Sequence, residues 1–309
     1  MPATLLLPKI THDQIRDAIQ RSGYLLEYRL EQVLRRRFYM VEPNQAYPDP
    51  ITGKSRELDI AAMTAENLDG DWNDILFPRL LIECINNPQP MAFFTKEAMA
   101  STAHVYDFKL SGFPVKMDEK GHWKHLSAFL DMQEYHHHCK GKIATQYCSF
   151  TSKKNKNGLE WLAQHETAHF DSFSKLCFAL NHEMDEHVQV KFGKRGKETI
   201  NLQMYYLILV VSGELMDISP TKNELKVLST DHIHYVQSYV SKGKEQRYHI
   251  DVVTEKYFPR LLKKIEAEVD DTAKRITHHR KDIQASMDKL VASVRGLRSR
   301  DAIRARLNY

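Results

Sequence analysis

An acidic residue, Glu83, lies inside the apolar run Leu80-Leu-Ile-Glu-Cys-Ile. A short run this apolar, ended by Asn86-Asn-Pro-Gln-Pro, has the pattern of a strand covered on both faces, so it belongs in the middle of a sheet flanked by helices. An ionised carboxylate in such a strand is costly unless it is paired or holds a cation. A second acid, Asp59, closes Gly53-Lys-Ser-Arg-Glu-Leu-Asp and opens toward another predicted strand, Leu58 to Met63. If the two strands pair, Asp59 and Glu83 converge, and paired oxygen donors suit a hard divalent cation. Residues i and i+2 of a strand share a face, so Ile85 points the same way as Glu83 and Cys84 the other way.

The surrounding pattern supports an α/β chain. Thr11 to Arg37 has apolar residues at helical spacing (Ile15, Ile19, Leu26, Leu30, Val33, Leu34) and is predicted as one helix. Phe38 to Val41 reads as a short strand, and Pro43 to Gly53, with three prolines, as a loop. Leu159 to Asn181 is predicted as helix. Met204 to Val211 reads as a buried strand forming a hairpin with Leu215 to Ile218. Glu255 to about Val294 reads as a long amphipathic helix, with Pro259 a candidate break. This order favours a mixed central sheet over two independent units. Residues 1–258 are expected to form the main domain and 259–309 a basic amphipathic helical extension, available for homodimerisation.

Composition narrows the setting. The four cysteines are scattered and form no CxxC pair, which argues for a reduced, cytoplasmic environment. No apolar run approaches membrane-spanning length, so no membrane partner is expected. The net charge of +4 is compatible with an acidic polymer as partner without requiring one. Basic clusters that could contact phosphates are Arg35-Arg36-Arg37, Lys153-Lys154-Asn-Lys156, the stretch 191–197 and the arginine-rich C-terminus.

Three segments in order resemble a family: Tyr24-Leu-Leu-Glu27-Tyr-Arg-Leu on a helix, Glu57-Leu-Asp59, and Ile82-Glu83-Cys84-Ile85. Their order and spacing are similar to the restriction-endonuclease-like, or PD-(D/E)XK, superfamily of bacterial members, with a weaker likeness reaching about Phe258. The resemblance implies a metal-dependent nuclease hydrolysing DNA phosphodiester bonds. It implies Mg²⁺ or Mn²⁺ held by Asp59, Glu83 and the main-chain carbonyl of Ile85, with Glu27 orienting water or a second ion. Ile85 stands where the family carries a lysine. A cation from elsewhere could replace it, with Lys54, Arg56 and Lys96 as the candidates. Otherwise the site is weakened or inactive, and the chain is an inert nucleic-acid-binding or protein-interaction module of the same fold. As a bland alternative, Arg56 or Arg79 simply neutralises Asp59 or Glu83.

A competing pattern, His165-Glu166-Thr-Ala-His169, matches HExxH, in which two histidines one helical turn apart hold Zn²⁺ and the glutamate acts as base. This would make the chain a zinc hydrolase, although among 16 histidines such a match also arises by chance. His136-His-His138 beside Cys139 is expected to be a solvated loop or helix end.

Overall fold

In the computed structural model, the run containing Glu83 becomes an eleven-residue strand within a thirteen-stranded mixed sheet. The structure describes residues 9–20, 22–70, 73–87, 89–98, 107–155, 158–164, 169–187, 199–221, 224–241 and 244–294. The helices are α1 (His12–Gln20), α2 (Tyr24–Arg35), α3 (Leu126–Phe129), α4 (Phe170–Glu186), α5 (Phe258–His278) and α6 (Arg280–Val294). The first strands are β1 (Met40–Pro48), β2 (Ser55–Met63), β3 (Glu66–Asn67), β4 (Ile75–Ile85) and β5 (Met91–Glu97). They are followed by β6 (Leu110–Phe113), β7 (Lys116–Glu119), β8 (His122–His125), β9 (Lys142–Asn155) and β10 (Gly158–Gln164). The last are β11 (Asn201–Val211), β12 (Leu215–Pro220), β13 (Leu225–Thr230), β14 (His232–Ser241) and β15 (Lys244–Thr254).

The main path through the sheet runs β1-β2-β4-β11-β15-β14-β9-β5-β12-β13. Strands β4, β11 and β15 are mutually parallel, and their register aligns Glu83 with Leu209 and Leu209 with Val252. Side chains alternate between two cores. Leu80 and Ile82 of β4 join the core under α2, α5 and α6, whereas Leu81 and Ile85 join the core under α4. The double coverage expected for this strand is therefore present.

The helices bury stripes at helical spacing. Leu26, Leu30 and Leu34 of α2 repeat every four residues, and Phe173, Leu176, Cys177 and Leu180 of α4 follow the i, i+3, i+4, i+7 pattern. Each fully buried leucine contributes about 1.5–3 kcal/mol relative to exposure. The segment expected as an extension, 259–309, begins within α5, whose Leu261, Leu262 and Ile265 are fully buried in the same core as α2. Pro259 does not break this helix. It occupies the first turn, where its missing N–H costs nothing, and the chain breaks instead at His279, between α5 and α6.

Other expectations are corrected. The single helix over 11–37 is two helices, α1 and α2, with Gly23 at the junction. The proline-rich loop is largely strand, because β1 lies at one end of the sheet, where proline disrupts no central ladder. Residues 158–164 form the strand β10, hairpinned on β9, and the helix starts only at Phe170. Strands β11 and β12 do not form a hairpin. Both edges of β11 are already occupied by β4 and β15, so β12 pairs with β5 and β13.

Candidate functional site

Strands β2 and β4 are antiparallel, with Ile60 opposite Ile82. One residue beyond that pair, the side chains of Asp59 and Glu83 take over the backbone hydrogen bonding. The amide of Cys84 donates to Asp59 Oδ2 at 2.8 Å, and the amide of Asp59 donates to Glu83 Oε1 at 3.3 Å. Each acid thus caps the other's strand, and the two carboxylates are held side by side on the sheet.

The helix α4 supplies the positive charge. Lys175 Nζ donates to Glu83 Oε2 at 2.9 Å and to Oε1 at 3.1 Å, and lies 3.7 Å from Asp59 Oδ1. The hydroxyl of Tyr47 donates to the backbone carbonyl of Lys175 at 3.2 Å, tying β1 to the same turn of α4. The Glu83 side chain is only 2 % exposed, while Asp59 and Lys175 remain partly open, at 19 % and 24 %. The cluster therefore has a closed base and an open rim.

Its electrostatics are those of a site short of positive charge. Burial, followed by the neighbouring Asp59, pushes the Glu83 carboxyl up to about 8 despite Lys175. Burial also raises Asp59, against the pull of the Cys84 amide and Lys175. Glu27, half-buried on α2, is raised by burial and then by Asp59, which places it within electrostatic reach of the pair. Burial works to lower Lys175, but its pairing with Glu83 outweighs that and raises it.

The expected residues are thus partly assembled. Asp59 and Glu83 meet, and Glu27 flanks them. The Ile85 carbonyl accepts the Ser212 amide at 3.0 Å, and the Ile85 side chain is packed in the α4 core. The cation that contacts the two acids is Lys175, which is none of the three candidate replacements. Arg56 pairs with Asp49 and with Asp171, and Lys54 and Lys96 are exposed. Arg79 pairs with Glu183 at 2.6 Å, so neither nearby arginine neutralises the two acids. Lys175 was missed. Its one signal in the sequence is a lone lysine beside the apolar stripe of a helix, between Phe173 and Leu176.

The basic clusters divide in the same way. Arg35 pairs with Glu31, and Arg37 holds both carboxylate oxygens of Glu266, so these two serve the fold. Arg36, Lys153 and Lys154 are exposed, and Lys156 lies outside the described residues. Of the HExxH pattern, His165 and Glu166 also lie outside them. His169 does not sit within a helix but immediately precedes α4, with its Nε2 3.3 Å from the Asn87 side chain. A groove at the carboxyl ends of β4, β11 and β15 is lined by Arg29, Asn87, Ser212 and Glu255, and does not include Asp59 or Glu83.

The His136–His138 loop, expected to be solvated, is packed inside. His136 and His138 are each 3 % exposed. They belong to buried groups of histidine and acidic side chains able to hold a metal ion, which include His137, His232, His234, His249, Asp251 and Glu268. No described helix is long and apolar enough to cross a membrane. No protein-family model, curated protein or solved structure matches the chain.

Proposed function

We propose that the protein is a metal-dependent nuclease of the restriction-endonuclease-like type that hydrolyses DNA phosphodiester bonds, with Lys175 in place of the motif lysine that Ile85 has replaced. The observation that carries this reading is the contact of one ammonium group with both acids, Asp59 and Glu83, on adjacent strands. The donor set fits Mg²⁺ or Mn²⁺, because both acids offer hard oxygen atoms side by side, and burial disfavours their ionised forms unless positive charge is near. Such an ion, when bound, neutralises charge on the scissile phosphate and favours ionisation of the attacking water.

The chain's own groups perform the remaining steps. Asp59 and Glu83 would hold that ion. Lys175, on a rigid helix, donates N–H bonds toward the reacting oxygens and offsets the charge that develops there. Glu27, whose carboxyl is raised by burial and by the neighbouring Asp59, accepts a proton from water approaching beside Asp59. Arg36, Lys153 and Lys154 are free to contact phosphates without reading sequence.

A plasmid-nicking assay with Mg²⁺ or Mn²⁺ tests this. Wild type should nick, Asp59→Ala should not, and Lys175→Ala should nick far more slowly. Equal nicking by Asp59→Ala would place the activity elsewhere. No cleavage of any DNA form by wild type with either ion would leave a binding module of the same fold.

A further inference from the structure

The opposite face of the sheet carries a second concentration of reactive side chains. Asp251 precedes Val252, the residue that shares a register line with Leu209 and Glu83, so alternation sends it to the α5 side, away from Lys175. Its carboxylate has no exposed surface. Three imidazoles converge on it from two distant segments. His232 Nε2 lies 2.7 Å from Oδ1, His137 Nε2 lies 2.9 Å from both oxygens, and His138 Nε2 lies 3.1 Å from Oδ2. The other ring nitrogen of His137, Nδ1, is 2.6 Å from Glu268 Oε1 on α5. A cavity of about 600 Å³ opens onto His137, His232 and Glu268.

We propose that His137, His232 and Asp251 form a binding centre for a divalent transition metal of the zinc class, with one coordination position facing this cavity.

Convergence is the first support. One ligand atom from each of the three residues lies within 4.8 Å of the others. Ligands about 2.0–2.1 Å from a tetrahedral zinc ion stand about 3.3 Å apart, so the two imidazole–carboxylate contacts, 2.7 and 2.9 Å, need to open by about half an ångström. The surrounding shell is the second support. A metal-bound histidine typically gives its other N–H to a carboxylate, as His137 is placed to do with Glu268, and His138 is placed to orient the second oxygen of Asp251. Stacking on Tyr257, with ring centroids 5.4 Å apart, fixes the His232 ring.

Proton accounting is the third support. Without a cation, Asp251 must accept N–H bonds from three rings, and His137 must carry protons on both nitrogens to serve two carboxylates. With one, His137 and His232 present lone pairs, and the 2+ charge of the ion is matched by the buried carboxylates of Asp251 and Glu268. Imidazole nitrogen favours zinc, nickel, copper or iron over magnesium, which separates this centre chemically from the all-oxygen pair Asp59 and Glu83.

The test uses the full chain, free of any affinity tag, dialysed against Zn²⁺ or Co²⁺ and then against buffer. Elemental analysis should give one metal per chain, and bound Co²⁺ should show visible absorption of low-symmetry nitrogen and oxygen ligation. Asp59→Ala should retain both signals, which keeps this outcome separate from the fate of the nuclease reading. His232→Ala should lose the metal, and Glu268→Gln should weaken binding by about 10–100-fold. Should a variant fail to fold, wild-type NMR still decides, because zinc must shift the ring nitrogens of His137 and His232. Wild type that takes up no stoichiometric metal, undiminished binding by folded His232→Ala, or unmoved histidine nitrogens would each overturn the proposal and leave a proton-linked hydrogen-bond network.

Discussion

Lys175 donates to both carboxylate oxygens of Glu83, at 2.9 and 3.1 Å, from a helix packed on the sheet face to which Glu83 points. The positive charge beside the two acids is brought by α4, and the strand position two residues after Glu83, Ile85, packs the core. The arrangement separates two duties, since β4 builds the hydrophobic interior while α4 supplies the cation.

If Lys175 performs the lysine's role, its removal should be severe. Lys175→Ala should reduce nicking by about 10²–10³-fold, the usual cost of deleting a charge-stabilising donor. Ile85→Lys alone should bring no gain, because the place beside Glu83 is already filled. The double variant Lys175→Ala, Ile85→Lys should recover part of the activity, measured as initial nicking rate. A gain from Ile85→Lys in the wild-type background would show that Lys175 does not fill that role.

The displaced candidates should be nearly silent. Lys54→Ala and Lys96→Ala change exposed side chains, and surface substitutions of this kind usually alter stability by less than about 0.5 kcal/mol. Neither should change the nicking rate at saturating Mg²⁺. Arg56→Ala should instead cost stability, because it strips Asp49 and Asp171 of their partner, with no specific loss of turnover.

Glu83 links stability to pH. Its carboxyl is raised from an ordinary 4.5 to about 8, so the folded state holds the proton more tightly than the unfolded chain. Its contribution is fully present below pH 4.5 and is lost as pH rises through 8, on the order of 5 kcal/mol. Asp59 and Glu27 shift in the same direction, whereas Lys175 acts only above the ordinary lysine range. Urea melts in a chelator should therefore show a midpoint that falls between pH 5 and pH 8, a flatter profile in Glu83→Gln, and recovery at pH 8 on adding Mn²⁺. A wild-type midpoint that does not move over this range would contradict the electrostatics described for the site.

Gly112 offers a test of the sheet around β11. It adopts φ +95°, and a Cβ there would collide with the carbonyl oxygen of Asn201 on the paired strand. Gly112→Ala should cost about 3 kcal/mol or more, through strain plus steric overlap. Gly121 also has positive φ but faces open space, so Gly121→Ala should cost only about 1 kcal/mol. Comparable losses at both positions would remove the steric part of this account.

The sequence by itself determined that Glu83 lies in a doubly covered strand, that Asp59 precedes it on a neighbouring one, and that helices cover a mixed sheet. Those features are local: an apolar run, a period of two, a period of four. Only the tertiary structure decided that Lys175, 92 residues after Glu83, completes the pair, since helical periodicity reports which residues share a face but not which strand that face meets. The histidine centre was hidden for the same reason. Its members come from a loop at 136–138, two adjacent strands and α5, and each alone reads as an ordinary histidine or acid. The pairing of β12 with β5 likewise depends on which sheet edges are already taken, a property that belongs to the assembled fold and to no single segment.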